Sequence, residues 1–223
     1  MTNLQKRILT SIIILPLSFF FIIKGSFYLL FFLLTVFFIA NYELFSVFSK
    51  KITILFLDLI LILSLYSIYH LAENVVSFYL LLWVIILVIC SDVGGYALGK
   101  IFKWKKITKI SPKKTLSGVL GSFLFSLLSV FIASSILPKI SEIFNQIEPL
   151  NINFLEPKFF FLSIILSLVA QTGDLTISFF KRMEKIKDTG KFLPGHGGIL
   201  DRIDGLMFVV ILAFILIEFN IIP

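Results

Sequence analysis

Residue types that can do chemistry collect in residues 187–205, KDTGKFLPGHGGILDRIDG, directly before a long apolar run. Two aspartates, Asp201 and Asp204, lie one helical turn apart where that run begins. Helical spacing on the preceding apolar segment aligns Gln171, Asp174, Ser178 and Lys181. An aspartate at the centre of a bilayer costs about 2.5–3.5 kcal/mol on the insertion scale, so these carboxylates should face the helix bundle and be paired. Two antiparallel neighbours joined by this loop would bring Asp174 and Asp201 together.

Two interpretations of these carboxylates are open. They form a structural salt-bridge cluster with Arg182 and Arg202, or they hold a hard cation such as Mg²⁺, which takes one or two carboxylates with waters and substrate phosphates. The loop favours the cation, because PGHGG supplies backbone N–H groups beside a helix start, where anions bind. His196 fits a structural hydrogen bond equally well. The cations that suit a phosphate here are Lys181, Arg182, Lys187, Lys191 and Arg202.

A second polar segment, residues 91–118, interrupts the apolar pattern earlier in the chain. One helical face of it carries Asp92, Gly95, Tyr96 and Gly99. The two glycines predict close helix packing, which leaves the aspartate unexplained. The following SPKKT predicts a turn and a helix cap by Thr115 or Ser117. Lys113 and Lys114 fit a phosphate clamp before that helix, although lysines in such a loop also follow from topology alone.

The elements that must position these residues are membrane helices. The chain has 223 residues, of which 58% are hydrophobic and only 15% charged, so it is not a soluble domain. Roughly 20 apolar residues span a bilayer. Seven segments qualify, at roughly 8–23, 26–45, 52–71, 75–99, 115–137, 158–180 and 201–219. We predict an all-α polytopic membrane protein with about seven transmembrane helices, within a range of six to nine.

The basic residues predict how these helices are oriented. Most of the 20 Lys and Arg residues fall in alternating connections, including both polar segments. The positive-inside rule therefore places the N-terminus and these segments in the cytoplasm. We predict one integral membrane domain over residues 1–223, with residues 1–90 mainly scaffold and residues 91–205 carrying the cytoplasm-facing catalytic region. The single cysteine, Cys90, has no disulfide partner.

The stretch SFFKRMEKIKDTGKFLPGHGGILDRID, residues 178–204, resembles the signature of the phosphatidate cytidylyltransferase (CDP-diacylglycerol synthase) family at every defined position. That signature combines Ser-x-x-Lys-Arg, Lys-Asp, Pro-x-His-Gly-Gly and Asp-Arg-x-Asp. Gly173–Asp174, Ser91–Asp92 and SPKKT are also similar to the family. The resemblance covers roughly residues 90–205. After SPKKT the family has an aromatic residue and Glu-Gly, whereas this chain has Leu116, Ser117 and Gly118, so that glutamate is missing here.

The resemblance implies transfer of the cytidylyl group of CTP to phosphatidic acid, with Mg²⁺ as cofactor and room for a second cation. The metal ligands would be Asp174, Asp201 and Asp204. The catalytic residues would be Asp174, Lys181, Arg182, Asp201, Arg202 and Asp204. The substrate-binding residues would be Asp92, Lys113, Lys114, Thr115, Ser117, Ser178, Lys187, Asp188, His196, Gly197 and Gly198. Because the lipid phosphate is itself an anionic nucleophile, catalysis should rest on positioning and electrostatics.

The resemblance also implies a homodimer, and we expect no nucleic-acid partner. A short chain without a long soluble extension indicates a bacterial plasma membrane, in which the positive-inside rule turns the active site to the cytoplasm. Three alternatives share part of this pattern. A CTP-dependent kinase of a polyprenol-type lipid would need similar residues. A CDP-alcohol phosphotransferase is disfavoured because its Asp-Gly-x-x-Ala-Arg pattern is absent. An ion-coupled transporter is disfavoured because the charges cluster on one side and no duplicated half is seen.

Overall fold

Seven helices make up the described part of the chain. The computed structural model describes residues 3–108, 110–111, 114–143, 152–190, 192–195 and 197–222. The helices are α1 Asn3–Lys24, α2 Ser26–Val47, α3 Lys51–Glu73, α4 Val75–Phe102, α5 Leu116–Ile143, α6 Pro157–Met183 and α7 Leu200–Glu218. Each predicted apolar segment forms one helix, so the predicted all-α architecture is confirmed.

Five of these helices, α2 to α6, are long and apolar enough to cross a membrane. Their outer faces carry large apolar side chains that no protein covers, such as Phe27, Ile52 and Phe161. An exposed apolar surface of this extent suits lipid contact, and the chain is an integral membrane protein. The 19-residue helix α7 carries three charged residues of the site, Asp201, Arg202 and Asp204, in its otherwise apolar first turns.

The protein core forms around α4, which packs against α3, α5, α6 and α7. Trp83 of α4 is fully buried and meets the ring of Phe159 of α6 edge-on at 5.2 Å between centroids. Aromatic pairs of this geometry add about 0.5–1.5 kcal/mol beyond the area they bury. The central position of α4 fixes the relative placement of α5 and α6, whose ends bear the polar segments.

The helices α4 and α5 form the most extensive pair in the bundle. Gly94 of α4 and Gly121 of α5 face each other so closely that a methyl group on either would overlap the carbonyl oxygen of the other. One turn along, a methyl group on Gly118 would lie 2.9 Å from the carbonyl oxygen of Gly95. The predicted close packing at Gly95 and Gly99 is therefore confirmed, since both face the start of α5.

Small residues also bring α6 and α7 together below the site. A methyl group on Gly205 of α7 would lie 3.1 Å from the carbonyl oxygen of Ala170 of α6. Gly173 of α6 packs in turn against Phe208 and the backbone of Asp204. This contact places Asp174, the residue after Gly173, beside the first turns of α7.

Candidate active site

The loop between α6 and α7 folds back on itself before α7 begins. Leu193 and Gly197 exchange two backbone hydrogen bonds, of 2.9 and 3.2 Å. Gly195 and Gly197 have φ values of 80° and 92°, in the left-handed region where glycine is favoured. The loop therefore turns tightly and delivers the amides of residues 197–200 to the N-terminal end of α7.

The Asp201 carboxylate lies at the centre of this loop and is almost fully enclosed. Its Oδ1 atom lies 2.8 Å from Nζ of Lys181. Its Oδ2 atom accepts hydrogen bonds from the backbone N–H groups of Thr189 and Gly198, at 2.8 and 3.0 Å. The Lys181 and Asp201 side chains are only 10% and 5% exposed. Asp201 thus ties the end of α6, the loop and the start of α7 into one unit.

A second ion pair joins the α4–α5 loop to α6. Nζ of Lys114 lies 2.6 Å from Oδ2 of Asp174 and donates to the carbonyl oxygen of Gln171 at 3.1 Å. Ser178 donates to the other carboxylate oxygen of Asp174 at 3.3 Å. Asp174 and Ser178 thus lie on one polar face of α6, as predicted, and Lys114 of the other polar segment contacts that face.

The acidic partner of Asp174 differs from the one that the sequence predicted. The sequence predicts that Asp174 and Asp201 meet, but Asp201 pairs with Lys181, and Asp204 is the α7 carboxylate within electrostatic reach of Asp174. Asp92 of α4 also lies within electrostatic reach of Asp174, Lys114 and Arg202. The backbone of Asp204 lies beside Gly173 of α6, whereas the Asp201 carboxylate is bound by Lys181 and by two loop amides.

The carboxylates of the site do not form a complete set of metal ligands in the part of the chain that the structure describes. Among the residues that the structure describes, no group of three or more His, Cys, Asp and Glu side chains is placed to hold a metal ion. Asp174 and Asp204 lie within electrostatic reach of each other. The assignment of metal ligands, including Asp201, stays a prediction.

The start of α5 is capped as the sequence indicated. Thr115 Oγ1 accepts from the backbone N–H of Gly118 at 3.2 Å and lies 3.0 Å from the hydroxyl of Ser117. Of the two predicted caps, Thr115 therefore performs the role, and Ser117 is buried beside it. An N-cap threonine contributes about 1 kcal/mol to helix stability.

Arg182 fastens the two polar loops to each other. Its Nε atom donates to the carbonyl oxygen of Ile110 at 3.3 Å, and its Nη1 atom donates to that of Ile186 at 2.9 Å. The side chain is otherwise exposed. Arg182 lies at the junction of both loops, where the predicted phosphate-binding residues meet.

The remaining predicted residues fall into three groups. Arg202, Lys187 and Asp188 are exposed, and Asp188 lies beside Gly197 in the loop. Lys113, Lys191 and His196 are outside the described residues. Gly198 is buried, and its amide is bound by Asp201 as described above.

One residue in the site was given no role by the sequence. Glu43 of α2 is 2% exposed and accepts hydrogen bonds from the backbone N–H groups of Ile199 and Leu200 and from the hydroxyl of Thr189. A lone glutamate inside an apolar segment was the only signal that could have pointed to it. Its partners lie more than 140 residues away in the chain, so spacing could not reveal them.

Comparison with known proteins assigns the chain to a family. The model of the Cytidylyltransferase family matches residues 48–220. A phosphatidate cytidylyltransferase of Helicobacter pylori strain ATCC 700392 / 26695 is 40% identical over 57% of this chain and 43% of its own length. Another, of Staphylococcus epidermidis strain RP62A, is 39% identical over 61% of this chain and 48% of its own length. A third, of Rickettsia felis, is 34% identical over 95% of this chain and 91% of its own length.

The chain thus spans about half the length of the Helicobacter and Staphylococcus relatives and most of the Rickettsia one. The family match contains both polar loops and every predicted site residue, and it stops short of Glu43. With its two ion pairs and its glycine-rich loop at one end of the bundle, this chain belongs to the cytidylyltransferase family.

Proposed function

We propose that the protein transfers the cytidylyl group of CTP to phosphatidic acid, giving CDP-diacylglycerol and pyrophosphate. The observation that carries the proposal is the convergence of the Lys114–Asp174 and Lys181–Asp201 ion pairs around Asp204, which lies within electrostatic reach of both Asp174 and Lys181. Two lysines beside carboxylates provide what a triphosphate, a lipid phosphate and a divalent cation need. The names of the relatives agree with this activity.

The reaction needs no base from the protein. An oxygen of the lipid phosphate forms a bond to the α-phosphorus of CTP, and the bond from that phosphorus to the bridging oxygen of the β-phosphate breaks. The departing pyrophosphate takes the electron pair, and no proton has to move in that step. Lys114 and Lys181 would neutralise the charge on the phosphates, and Arg182 would hold the two loops at the distance that the substrates require.

A magnesium ion fits the donor set. Mg²⁺ is commonly bound by one or two carboxylates and completes its shell with waters and substrate phosphates. Asp174 and Asp204 lie within electrostatic reach of each other and are such a pair. When bound, the ion would stabilise negative charge on the phosphate oxygens. Asp92 of α4 lies within electrostatic reach of Asp174 and would add negative charge near the ion.

The orientation and assembly belong to the same proposal. The Lys-rich α4–α5 loop and the α6–α7 loop meet at one end of the bundle through Arg182. Their positive charge favours the cytoplasmic side, from which CTP would arrive, in a bacterial plasma membrane. Phosphatidic acid would enter laterally from the bilayer. A homodimer stays a prediction, which the mass of the detergent-solubilised protein would test.

A direct assay tests the activity. The purified protein in detergent, given phosphatidic acid, CTP and Mg²⁺, should release pyrophosphate and move a label on cytidine into the lipid. A lipid kinase would instead move the γ-phosphate label, and a transporter would need no CTP. Removal of the metal by a chelator should stop turnover. Failure to label the lipid from cytidine-labelled CTP would exclude the proposal.

Variants test the residues that the activity needs. Asp174→Asn should abolish Mg²⁺-dependent turnover while the protein still inserts, and Lys181→Ala should chiefly raise the CTP concentration needed for half-maximal rate. The matched control is Glu156→Gln, because Glu156 pairs with Lys158 at 2.9 Å at the opposite end of the same helix. Full activity in Asp174→Asn would remove Asp174 from the metal site.

A further inference from the structure

Glu43 is the most completely engaged carboxylate that the sequence left without a role. Its Oε1 atom accepts from the N–H of Ile199 at 2.9 Å, and its Oε2 atom accepts from the N–H of Leu200 and the hydroxyl of Thr189, both at 3.1 Å. It is 2% exposed. Both oxygens of this buried carboxylate accept hydrogen bonds, and a glutamine would replace one acceptor oxygen with a donor. The contact therefore requires the carboxylate of Glu.

The loop is shaped to the Glu43 carboxylate. A methyl group on Gly190 would lie 2.7 Å from Oε1, and one on Gly198 would overlap Oε2 and the Thr189 hydroxyl. The chain therefore passes directly over the carboxylate at two glycines. Such contact leaves no room for water between the loop and Glu43.

The contact extends to Asp201 through shared residues. Thr189 donates its backbone N–H to Asp201 and its hydroxyl to Glu43. The consecutive amides of Gly198, Ile199 and Leu200 divide in the same way, the first to Asp201 and the next two to Glu43. The two carboxylates thus hold one loop from opposite sides, and loss of either set of bonds frees the other to shift.

We propose that Glu43 is a positioning residue for the reaction, which acts by holding the α6–α7 loop and the N-terminal end of α7 in the conformation that binds substrate phosphate. This inference rests on the proposed function. Glu43 touches no substrate in this scheme, and it acts through Thr189, Ile199 and Leu200. It lies outside residues 48–220 that the family model matches, so α2 contributes to the site from beyond that region.

A conservative substitution of Glu43 distinguishes a positioning role from a role in packing alone. Glu43→Gln keeps the size of the side chain but replaces one acceptor oxygen with an NH₂ group that faces an N–H or a hydroxyl. If Glu43 only fills space, this change leaves the kinetics intact. If it positions the loop, the Thr189 and Gly198 amides that hold Asp201 shift, Lys181 loses its fixed place beside Asp201, and phosphate binding weakens. Each tenfold loss in binding corresponds to about 1.4 kcal/mol.

The test compares Glu43→Gln, Thr189→Val and the double variant with the unchanged protein. We expect Glu43→Gln to raise the KM for CTP at least about tenfold, Thr189→Val to raise it less, and the double variant to fall short of the product of the two, because both act on one contact. Thr189→Ser, which retains the hydroxyl, should restore most of the affinity. The control is Asn41→Ala, since within the described residues Asn41 donates to the carbonyl oxygen of Phe37 in its own helix α2.

Hydrogen exchange gives a readout that does not depend on activity. Amides of residues 188–200 should exchange faster in Glu43→Gln and in Thr189→Val, while amides of α4 should not change. Unchanged KM and unchanged exchange in Glu43→Gln would overturn the inference. Should Glu43→Gln fail to fold, Thr189→Val carries the same test, and normal KM and exchange there would overturn it.

The same measurements separate this inference from the proposed function. If the unchanged protein does not turn over CTP and phosphatidic acid, the proposed function fails, and exchange alone then decides whether Glu43 holds the loop. If the unchanged protein is active and the variants match it in KM and in exchange, the inference on Glu43 fails while the proposed function stands.

Discussion

The two ion pairs of the site differ in how completely the protein encloses them. Lys181 and Asp201 are 10% and 5% exposed, whereas Lys114 and Asp174 are 22% and 36% exposed. A buried pair that loses one partner leaves an uncompensated charge, which costs about 3–5 kcal/mol. The enclosed pair therefore contributes to stability as well as to phosphate binding, and the open pair is the more accessible of the two.

This difference predicts distinct behaviour at the enclosed pair. Lys181→Met or Asp201→Asn alone should lower the melting temperature strongly, by the equivalent of about 3–5 kcal/mol, because each leaves a buried group unpaired. The double variant Lys181→Met/Asp201→Asn should recover part of that stability and none of the turnover. Thermal unfolding in detergent together with the pyrophosphate assay measures both. A double variant as unstable as the sum of the single ones would contradict this account.

At the scale of elements, the site depends on the contact between α4 and α5. These helices carry Asp92 and, just before α5, Lys114, and their separation is set by Gly94 and Gly121. Thr115 fixes where α5 begins, and hydrogen bonds from Ile107 and Leu116 to the opposite side of the α4–α5 loop hold that loop closed. The position of Lys114 thus follows from helix packing more than from its own neighbours.

A methyl group at this contact should therefore affect both stability and activity. Gly94→Ala would place Cβ against the carbonyl oxygen of Gly121 and the ring of Phe125, so the helices must move apart, at a cost of about 1–3 kcal/mol. We expect a lower melting temperature and reduced turnover. Val93→Ala, one residue away on an exposed face, should leave both nearly unchanged. Equal effects of the two substitutions would refute the role of the close contact.

At the scale of the whole molecule, the first two helices and the connection that follows them hold the α6–α7 loop and the end of α6. Thr10 of α1 donates to the carbonyl oxygen of Pro194, Glu43 of α2 binds the start of α7, and Ser49 between α2 and α3 binds Glu184 after α6. The predicted split into residues 1–90 as scaffold and residues 91–205 as catalytic region stays a prediction. These contacts give the scaffold a specific task, which is to hold one loop.

The Ser49–Glu184 contact predicts a pH dependence. The hydrogen bonds from the Ser49 hydroxyl and backbone N–H hold the pKa of Glu184 below its ordinary value of 4.5. A lowered folded-state pKa gives stability that is present above pH 4.5 and is lost as pH falls through the folded value. In Glu184→Gln the melting temperature should fall less between pH 5 and pH 3 than in the unchanged protein. Parallel profiles, measured with Ser49→Ala as the matched variant, would contradict this.

Much of the fold and part of the site could be predicted from the sequence. The seven helices follow from apolar run length, since the hydrocarbon thickness of a bilayer sets that length. The polar face of α6, the glycine contact of α4 with α5 and the cap at Thr115 follow from local periodicity and spacing. The pairing of Asp174 with Asp204 could not be predicted, because it depends on the rotation of α7 against α6.

The sequence by itself determined what is local: which segments span the membrane, which side chains share a helical face, and which motif marks the family. Only the tertiary structure decided which acid meets which base, because hydrogen-bond partners are chosen by helix rotation and approach. Glu43 shows the reason most directly. Its role depends on hydrogen bonds from the amides of Ile199 and Leu200, which lie more than 150 residues away in the chain. A lone glutamate in an apolar segment does not predict these partners.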